Sequence, residues 1–371
     1  MFILRGKTLQ IKQLVIDPGT ANDRGVQIGE EFRREVRASR DRYVEFFELN
    51  GFDNHVIESC ANRALTGLES HAPDQYDEMR GTAQSSGVDL RQLAALAARN
   101  EIFSRSNLMS PAECSTVLHD DRRANSATTV QTWDMYPELI ETCLVVNYEQ
   151  NGVGVLAFRE PGMPNKFGIT SNRVAFHMNL LSHKSDGLAE GIPAHAVQQY
   201  LMESGKGLDD VIQIARSIPR MGSYVATILD ASATTVRAAM VEVSPVGVAK
   251  LPNTGPYQYH TNHFIDDSLS NEDRIDGASR EDSEARLEAV KAINEANPLP
   301  QKLQQRADML AKQLRAVALA DGKTTASTSV KPEIQTLMTF SFDMSEQSMD
   351  IILENAENNT VDKTLRFPLH G

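Results

Sequence analysis

Apolar residues change their spacing once along this chain, close to Cys114. From Glu30 to about Asn107 they recur at helical spacing. Val36, Tyr43, Phe46 and Phe47 form one stripe, and Leu90, Leu93, Leu96, Ala97 and Ile102 form another. Stripes of this kind are the faces that helices bury against a core. Ahead of them, residues 8–16 alternate and predict a strand, and residues 24–29 predict a turn leading into the helical stretch.

Beyond Cys114 the period shortens to two. Strands are predicted at 128–133, 139–148, 153–158, 174–178, 224–229, 236–243, 337–344 and 349–353. Asn151-Gly152, between the second and third of these, signals a tight hairpin because both residues tolerate positive φ. Helices fit 195–203, 208–217, 282–293 and 303–319, and the acidic stretch 266–282 reads as a surface loop. Helices first, then runs of strands interrupted by helices, predict an α+β fold of antiparallel sheets layered with helices.

Composition narrows the class. The chain has 371 residues, 41% of them hydrophobic, enough for a sizeable core. Mean hydropathy is negative, and no apolar run reaches the roughly 18 to 20 residues that a membrane helix needs. The start, Met1-Phe2-Ile3-Leu4-Arg5-Gly6-Lys7, is charged too soon for a signal peptide, so a cytoplasmic protein is expected. Cys60, Cys114 and Cys143 are widely spaced and odd in number, which argues against a disulfide framework or a zinc knuckle. The formal net charge of -13 would repel nucleic acids and anionic membranes. It serves solubility, and it would also favour a cationic or amine-bearing substrate.

Cys114 sits where the two patterns meet, in Pro111-Ala112-Glu113-Cys114-Ser115-Thr116. One reading is a small buried residue. The other is a nucleophile exposed by self-cleavage. A thiol that attacks the carbonyl before it forms a thioester by an N-to-S acyl shift, and water then releases two chains. Cys114 would keep a free α-amine with a pKa of about 8, able to serve as its own base. Such a site needs an orienting carboxylate and oxyanion donors. Asp134, after Trp133 and a β-run, suits the first, although a lone Trp-Asp pair is also what a core position followed by a turn looks like. Asn262 is a neutral donor in a short polar motif. His119, beside Asp120-Asp121, reads as part of a solvated turn.

Taken in order, these pieces resemble the acyl-coenzyme A:isopenicillin N acyltransferase family of self-cleaving N-terminal-nucleophile hydrolases. Gln131-Thr132-Trp133-Asp134 is similar to the family's Gln-Asn-Trp-Asp, and Phe167-Gly168-Ile169-Thr170-Ser171-Asn172 to a Phe-Gly-hydrophobic-Asn-Ser segment. Glu242-Val243-Ser244-Pro245 is similar to Glu-Phe-Ser-Pro, His260-Thr261-Asn262-His263 is intact, and residues 24–29 look like the family's amino-terminal segment. The resemblance implies a four-layer αββα sandwich, with 1–113 as the small chain and 114–371 as the large chain of one folded unit. It implies Cys114 as nucleophile, Asp134 supporting the freed amine, Asn262 stabilising the oxyanion, and Ser244 lining the site. Ser244 could equally be a strand-end hydroxyl that caps the backbone.

Two positions depart from the family. Glu113 stands where members carry glycine before the cut, without glycine's freedom to adopt strained conformations. Glu333 falls where the penicillin enzyme has a substrate-binding arginine. The resulting expectation is an amidohydrolase acting on a small non-protein amide with a cationic or polyamine-like amine half, bound partly by Glu333. It would need no cofactor and no metal. Its partners would be the amide and the two self-cleaved chains, with homo-oligomerisation left open. The alternatives are acyl transfer from a coenzyme A thioester to an amine, and an uncut, non-catalytic binding protein.

Overall fold

The computed structural model describes residues 9–106, 114–275, 277–296, 299–300, 302–303, 305–309, 334–355 and 360–370. Glu113 and Glu333 lie outside them. The change of period near Cys114 marks a boundary between helices and sheets. Strand β1 (Gln10–Val15) is followed by six helices, α1 (Ala21–Glu31), α2 (Arg33–Leu49), α3 (Asn54–His71), α4 (Pro73–Ser86), α5 (Leu90–Ala97) and α6 (Arg99–Arg105). Next come β2 (Ser115–Asp121), β3 (Ser126–Met135), β4 (Thr142–Gln150), β5 (Val153–Arg159), β6 (Phe167–Thr170), β7 (Val174–Leu180), α7 (Ala194–Ser204) and α8 (Leu208–Ser217). The chain continues through β8 (Tyr224–Asp230), β9 (Arg237–Ser244), β10 (Gly247–Lys250), β11 (Tyr257–His260), α9 (Asp267–Ser270) and α10 (Gly277–Ala296). It closes with β12 (Gln335–Asp343), β13 (Ser348–Asn355) and β14 (Thr360–Pro368).

The strands form two sheets. The first has eight, in the order β1-β4-β5-β6-β7-β8-β9-β10, antiparallel throughout except for β1 against β4. The second has six, β11-β2-β3-β12-β13-β14, all antiparallel. The sheets face each other through β2, β3 and β11 against β9, and β13 against β6. Helices α7 and α8 cover the outer face of the first sheet, and α10 packs on β2 and β11 of the second. The fold is therefore α+β with four layers, αββα, as expected.

Between the sheets, Phe340 of β12 packs 4.8 Å from Phe158 of β5 and 4.6 Å from Phe167 of β6, ring to ring, and Trp133 of β3 lies 5.4 Å from Phe158. These rings bury large apolar area in tilted and edge-on contacts. Polar pins cross the same interface. Thr129 of β3 meets His177 of β7 at 2.7 Å, and Gln131 Nε2 donates to the Met178 carbonyl at 2.6 Å. Burial pushes His177 down to about 3, so its ring is neutral there.

Helices α1 and α4 meet at their backbones, because a Cβ on Gly25 would run into the Glu78 carbonyl and one on Gly81 into Asn22. The Asn151-Gly152 hairpin joins β4 to β5 with both φ values positive, 52° and 79°, as its sequence predicts.

Several elements differ from expectation. Residues 24–29 lie inside α1, which Thr20 and Asp23 start earlier with a reciprocal capping box. The fourth strand begins at Thr142 rather than 139, because Pro137–Leu139 form a 3-10 turn. The stretch 266–282 contains α9 and the start of α10. His119 is in β2, with its ring stacked 4.5 Å from Tyr257, so it is not in a turn. Strands β2, β6, β10, β11 and β14 carry too short or too polar a pattern to be predicted as strands. Of the helix at 303–319, residues 303 and 305–309 are described, and they are helical.

Candidate active site

Cys114 stands immediately before β2, and the β2–β3 register decides what it meets. Ser115 pairs with Thr132, and continuing the register sets Cys114 across from Trp133. Ser115 N donates to Thr132 Oγ1 at 3.1 Å, and that hydroxyl donates to Asp134 Oδ2 at 3.4 Å. Strand alternation keeps Thr132 and Asp134 on one face of β3. Between β3 and β12 the register shifts at Thr336 and Met338, next to Asp134. A bulge of this kind re-aims side chains beside a site.

Asn262 lies just past the end of β11, which pairs with β2 through His260 and Thr116. Its Oδ1 accepts the Cys114 backbone N–H at 2.9 Å. The same oxygen accepts from Arg286 Nη2 at 3.2 Å, while Nδ2 donates to the Leu180 carbonyl at 2.9 Å. Two obligate donors on one side and a carbonyl on the other determine which way the amide points.

Arg286, on α10, is the residue that sequence reasoning missed. Its Nη1 donates to the Cys114 carbonyl at 3.0 Å and to Ser115 Oγ at 3.1 Å, and its Nε bonds Asp282 Oδ2 at 2.8 Å. The pairing with Asp282, four residues earlier, looks like an exposed helix face. The signal that could have found it is its place among the buried positions Ser283, Leu287, Val290 and Asn294 of α10. A cation there needs buried partners.

The Cys114 thiol is buried. Desolvation pushes it up to about 12, and the Asp134 charge adds to this; a hydrogen bond from the Asp134 backbone and the charges of Arg286 and Lys166 oppose the rise. The sulfur is therefore protonated near neutrality. Lys166 lies 4.9 Å from the Trp133 ring centroid. Burial, then the Arg99 charge, brings it down to about 8, while its ion pair with Glu160 opposes the shift.

The structure thus brings Cys114, Asp134 and Asn262 together. Ser244 ends β9, and its Oγ accepts the Gly247 N–H at 3.2 Å in the turn to β10. The register Leu180–Tyr224–Val243 puts it at the same end of the first sheet as the carbonyl that holds Asn262. Cys60 and Cys143 are buried free thiols. Among the described residues, no group of three or more His, Cys, Asp or Glu could hold a metal ion, and no helix is long and apolar enough to cross a membrane.

The sequence model of acyl-coenzyme A:6-aminopenicillanic acid acyl-transferase matches residues 122–358. The chain belongs to that family. The matched span begins after Cys114 and includes Asp134, Ser244, Asn262 and Arg286. Membership makes the chain an enzyme of the acyltransferase type. Among solved structures it is similar to penicillin V acylase from Agrobacterium tumefaciens, at 13% identity and TM-score 0.39 over 67% of this chain and 84% of that one. It is also similar to a mutant of conjugated bile acid hydrolase from Clostridium perfringens, at 11% and 0.44 over 68% and 92%. A third is a Caenorhabditis elegans N-acylethanolamine-hydrolyzing acid amidase ortholog, at 9% and 0.40 over 69% and 100%.

Proposed function

We propose that the protein is a self-processing cysteine amidohydrolase with Cys114 as nucleophile. The observation that carries this reading is the Cys114 peptide unit, whose N–H is held by Asn262 and whose carbonyl is held by Arg286. Two side chains from separate elements grip the residue after the expected cut. In maturation, the sulfur attacks the Glu113 carbonyl carbon, the Glu113–Cys114 C–N bond breaks, and the thiol proton ends on the departing nitrogen. Water then cleaves the thioester to a Glu113 carboxylate and the restored thiol.

The freed amine, supported by Asp134, serves as base and then acid. Cys114 attacks the substrate amide, the amine half leaves with a proton, and water releases the acyl group from sulfur. The oxyanion is stabilised by Asn262. For that it must turn its Nδ2 from Leu180 once the Cys114 amide has become an amine.

The small and large chains stay joined through buried contacts. Arg24 bonds Gln150 at 2.5 Å, Arg159 pairs with Glu78 at 2.7 Å, and Tyr43 donates to Glu160 at 2.8 Å. The substrate's amine half is cationic, supported by the net charge of -13 and by Glu333. A second reading, acyl transfer from a coenzyme A thioester, is favoured by the family's description.

Intact-mass analysis tests the core of this. Wild type should yield two fragments, the larger beginning at Cys114, and Cys114→Ala should yield one. A single full-length species in both would overturn it and favour an uncut binding protein. An amide library, with acyl thioester plus amine in parallel, then separates hydrolysis from transfer. Glu333→Gln should raise KM for amine-bearing amides more than for neutral ones.

A further inference from the structure

Two sequence motifs meet at one buried carboxylate. Glu242, in β9, opens Glu242-Val243-Ser244-Pro245, and His260, at the end of β11, opens His260-Thr261-Asn262-His263. Glu242 Oε1 lies 2.8 Å from His260 Nε2. The same carboxylate accepts the N–H of Ile265 at 2.6 Å and of Asp266 at 3.1 Å. Three donors from the two ends of loop 260–266 thus converge on Glu242, and Asn262 lies between those ends.

His260 Nδ1 faces the Thr261 carbonyl at 3.0 Å, so both ring nitrogens of His260 have a buried partner. On the opposite side, Ser283 of α10 accepts the Asn262 N–H at 2.9 Å and meets His263 Nδ1 at 2.8 Å.

We propose that Glu242 and His260 are positioning residues, a buried hydrogen-bonded pair that closes loop 260–266 and keeps Asn262 Oδ1 on the Cys114 N–H. The catalytic part of this rests on the reading of Cys114 as nucleophile. The geometric part does not. A leucine at 242 offers no acceptor to any of the three donors, so it closes neither end of the loop.

Hydrogen exchange in the full-length Cys114→Ala chain, which stays uncut, tests the geometric part. Adding Glu242→Leu or His260→Leu should speed exchange of the residue-114 amide at least tenfold, with β7 and β8 amides within twofold. Unchanged protection at residue 114 would overturn the proposal, and if one variant fails to fold the other carries the measurement. With Cys114 present, both variants should lower the maturation rate and kcat at least tenfold, with KM within twofold. His260→Gln, which can still donate to Glu242, should recover at least fivefold over His260→Leu. Loss of less than twofold in both variants, in a wild type that matures, would also overturn it. A wild type that neither matures nor turns over would refute the amidohydrolase reading and leave the exchange result to decide the pair.

Discussion

Asn262 turns its amide oxygen, not its nitrogen, toward Cys114, 2.9 Å from that residue's backbone nitrogen. An oxyanion donor would be expected to face the other way. In the intact chain, Asn262 acts as an acceptor that fixes the Cys114 peptide unit, and the Leu180 carbonyl keeps its nitrogen occupied. One side chain would then serve two successive states, as acceptor before cleavage and donor after it.

Asn262→Asp separates those states. Aspartate keeps the acceptor and loses the donor, so the variant should still self-cleave, within about tenfold of wild type. Its kcat should fall about 10²- to 10³-fold, the usual cost of one oxyanion donor. Asn262→Ala should lose both. Fragment yield and single-turnover rates check this, and equal losses in both assays for Asn262→Asp would sink the two-state role.

Arg286 holds the Cys114 carbonyl, Ser115 Oγ and Asn262 Oδ1 with one planar fork. Arg286→Met should slow maturation about tenfold or more, by removing charge-assisted bonds of about 1.5–3 kcal/mol each. Arg286→Lys should recover little, since an ammonium does not reproduce the fork. Time courses of fragment appearance read both, and a lysine variant at wild-type rate would rule out the bidentate geometry as the cause.

Asp186 and Glu101 make the fold sensitive to pH. Burial pushes Asp186 up to about 8 and Glu101 up to about 7, against hydrogen bonds to Ser223 and to the Ala194 N–H respectively. The folded chain then binds these protons more tightly than the unfolded chain does. Their stabilisation is complete below about pH 4 and is lost as pH rises through 7 to 8. Asp186→Asn cannot titrate, so its unfolding free energy should fall less between pH 5 and 8.5, by more than about 1 kcal/mol. Urea unfolding at the two pH values tests it, and parallel losses would contradict the buried acid.

Glu160 binds Tyr43 at 2.8 Å, Arg99 at 3.0 Å, and Lys166, all of them buried. Glu160→Gln leaves two buried cations uncompensated and should cost about 3–5 kcal/mol. Tyr43 and Arg99 precede Cys114, whereas Glu160 and Lys166 follow it. In matured protein the loss should therefore appear as easier separation of the two fragments, measurable by size exclusion in mild urea. A variant as tightly associated as wild type would show that apolar burial alone joins the chains.

The α+β class and most elements were legible because each follows from periodicity within a few residues: the stripe around Tyr43 and Phe46, the hairpin at Asn151-Gly152, the helices near 195 and 208. Edge and linking strands such as β10 and β11 were not, since their hydrogen bonds come from distant partners and their own pattern is weak. Cys114 and Asp134 could be paired by order along the chain, because β2 and β3 are neighbours in sequence and in the sheet.

By itself, the sequence determined the change from helical to strand period, the ordered motifs that carry the family resemblance, and Cys114 as the residue to test. Only the tertiary structure decided which atoms face that cysteine. The Asn262 oxygen and the Arg286 fork reach it from the end of β11 and from α10, and the Glu242–His260 pair ties down the loop that carries Asn262, all far apart in the chain. Hydrogen bonds act over about 3 Å, so their partners depend on how sheets and helices pack, and packing leaves no local period to read.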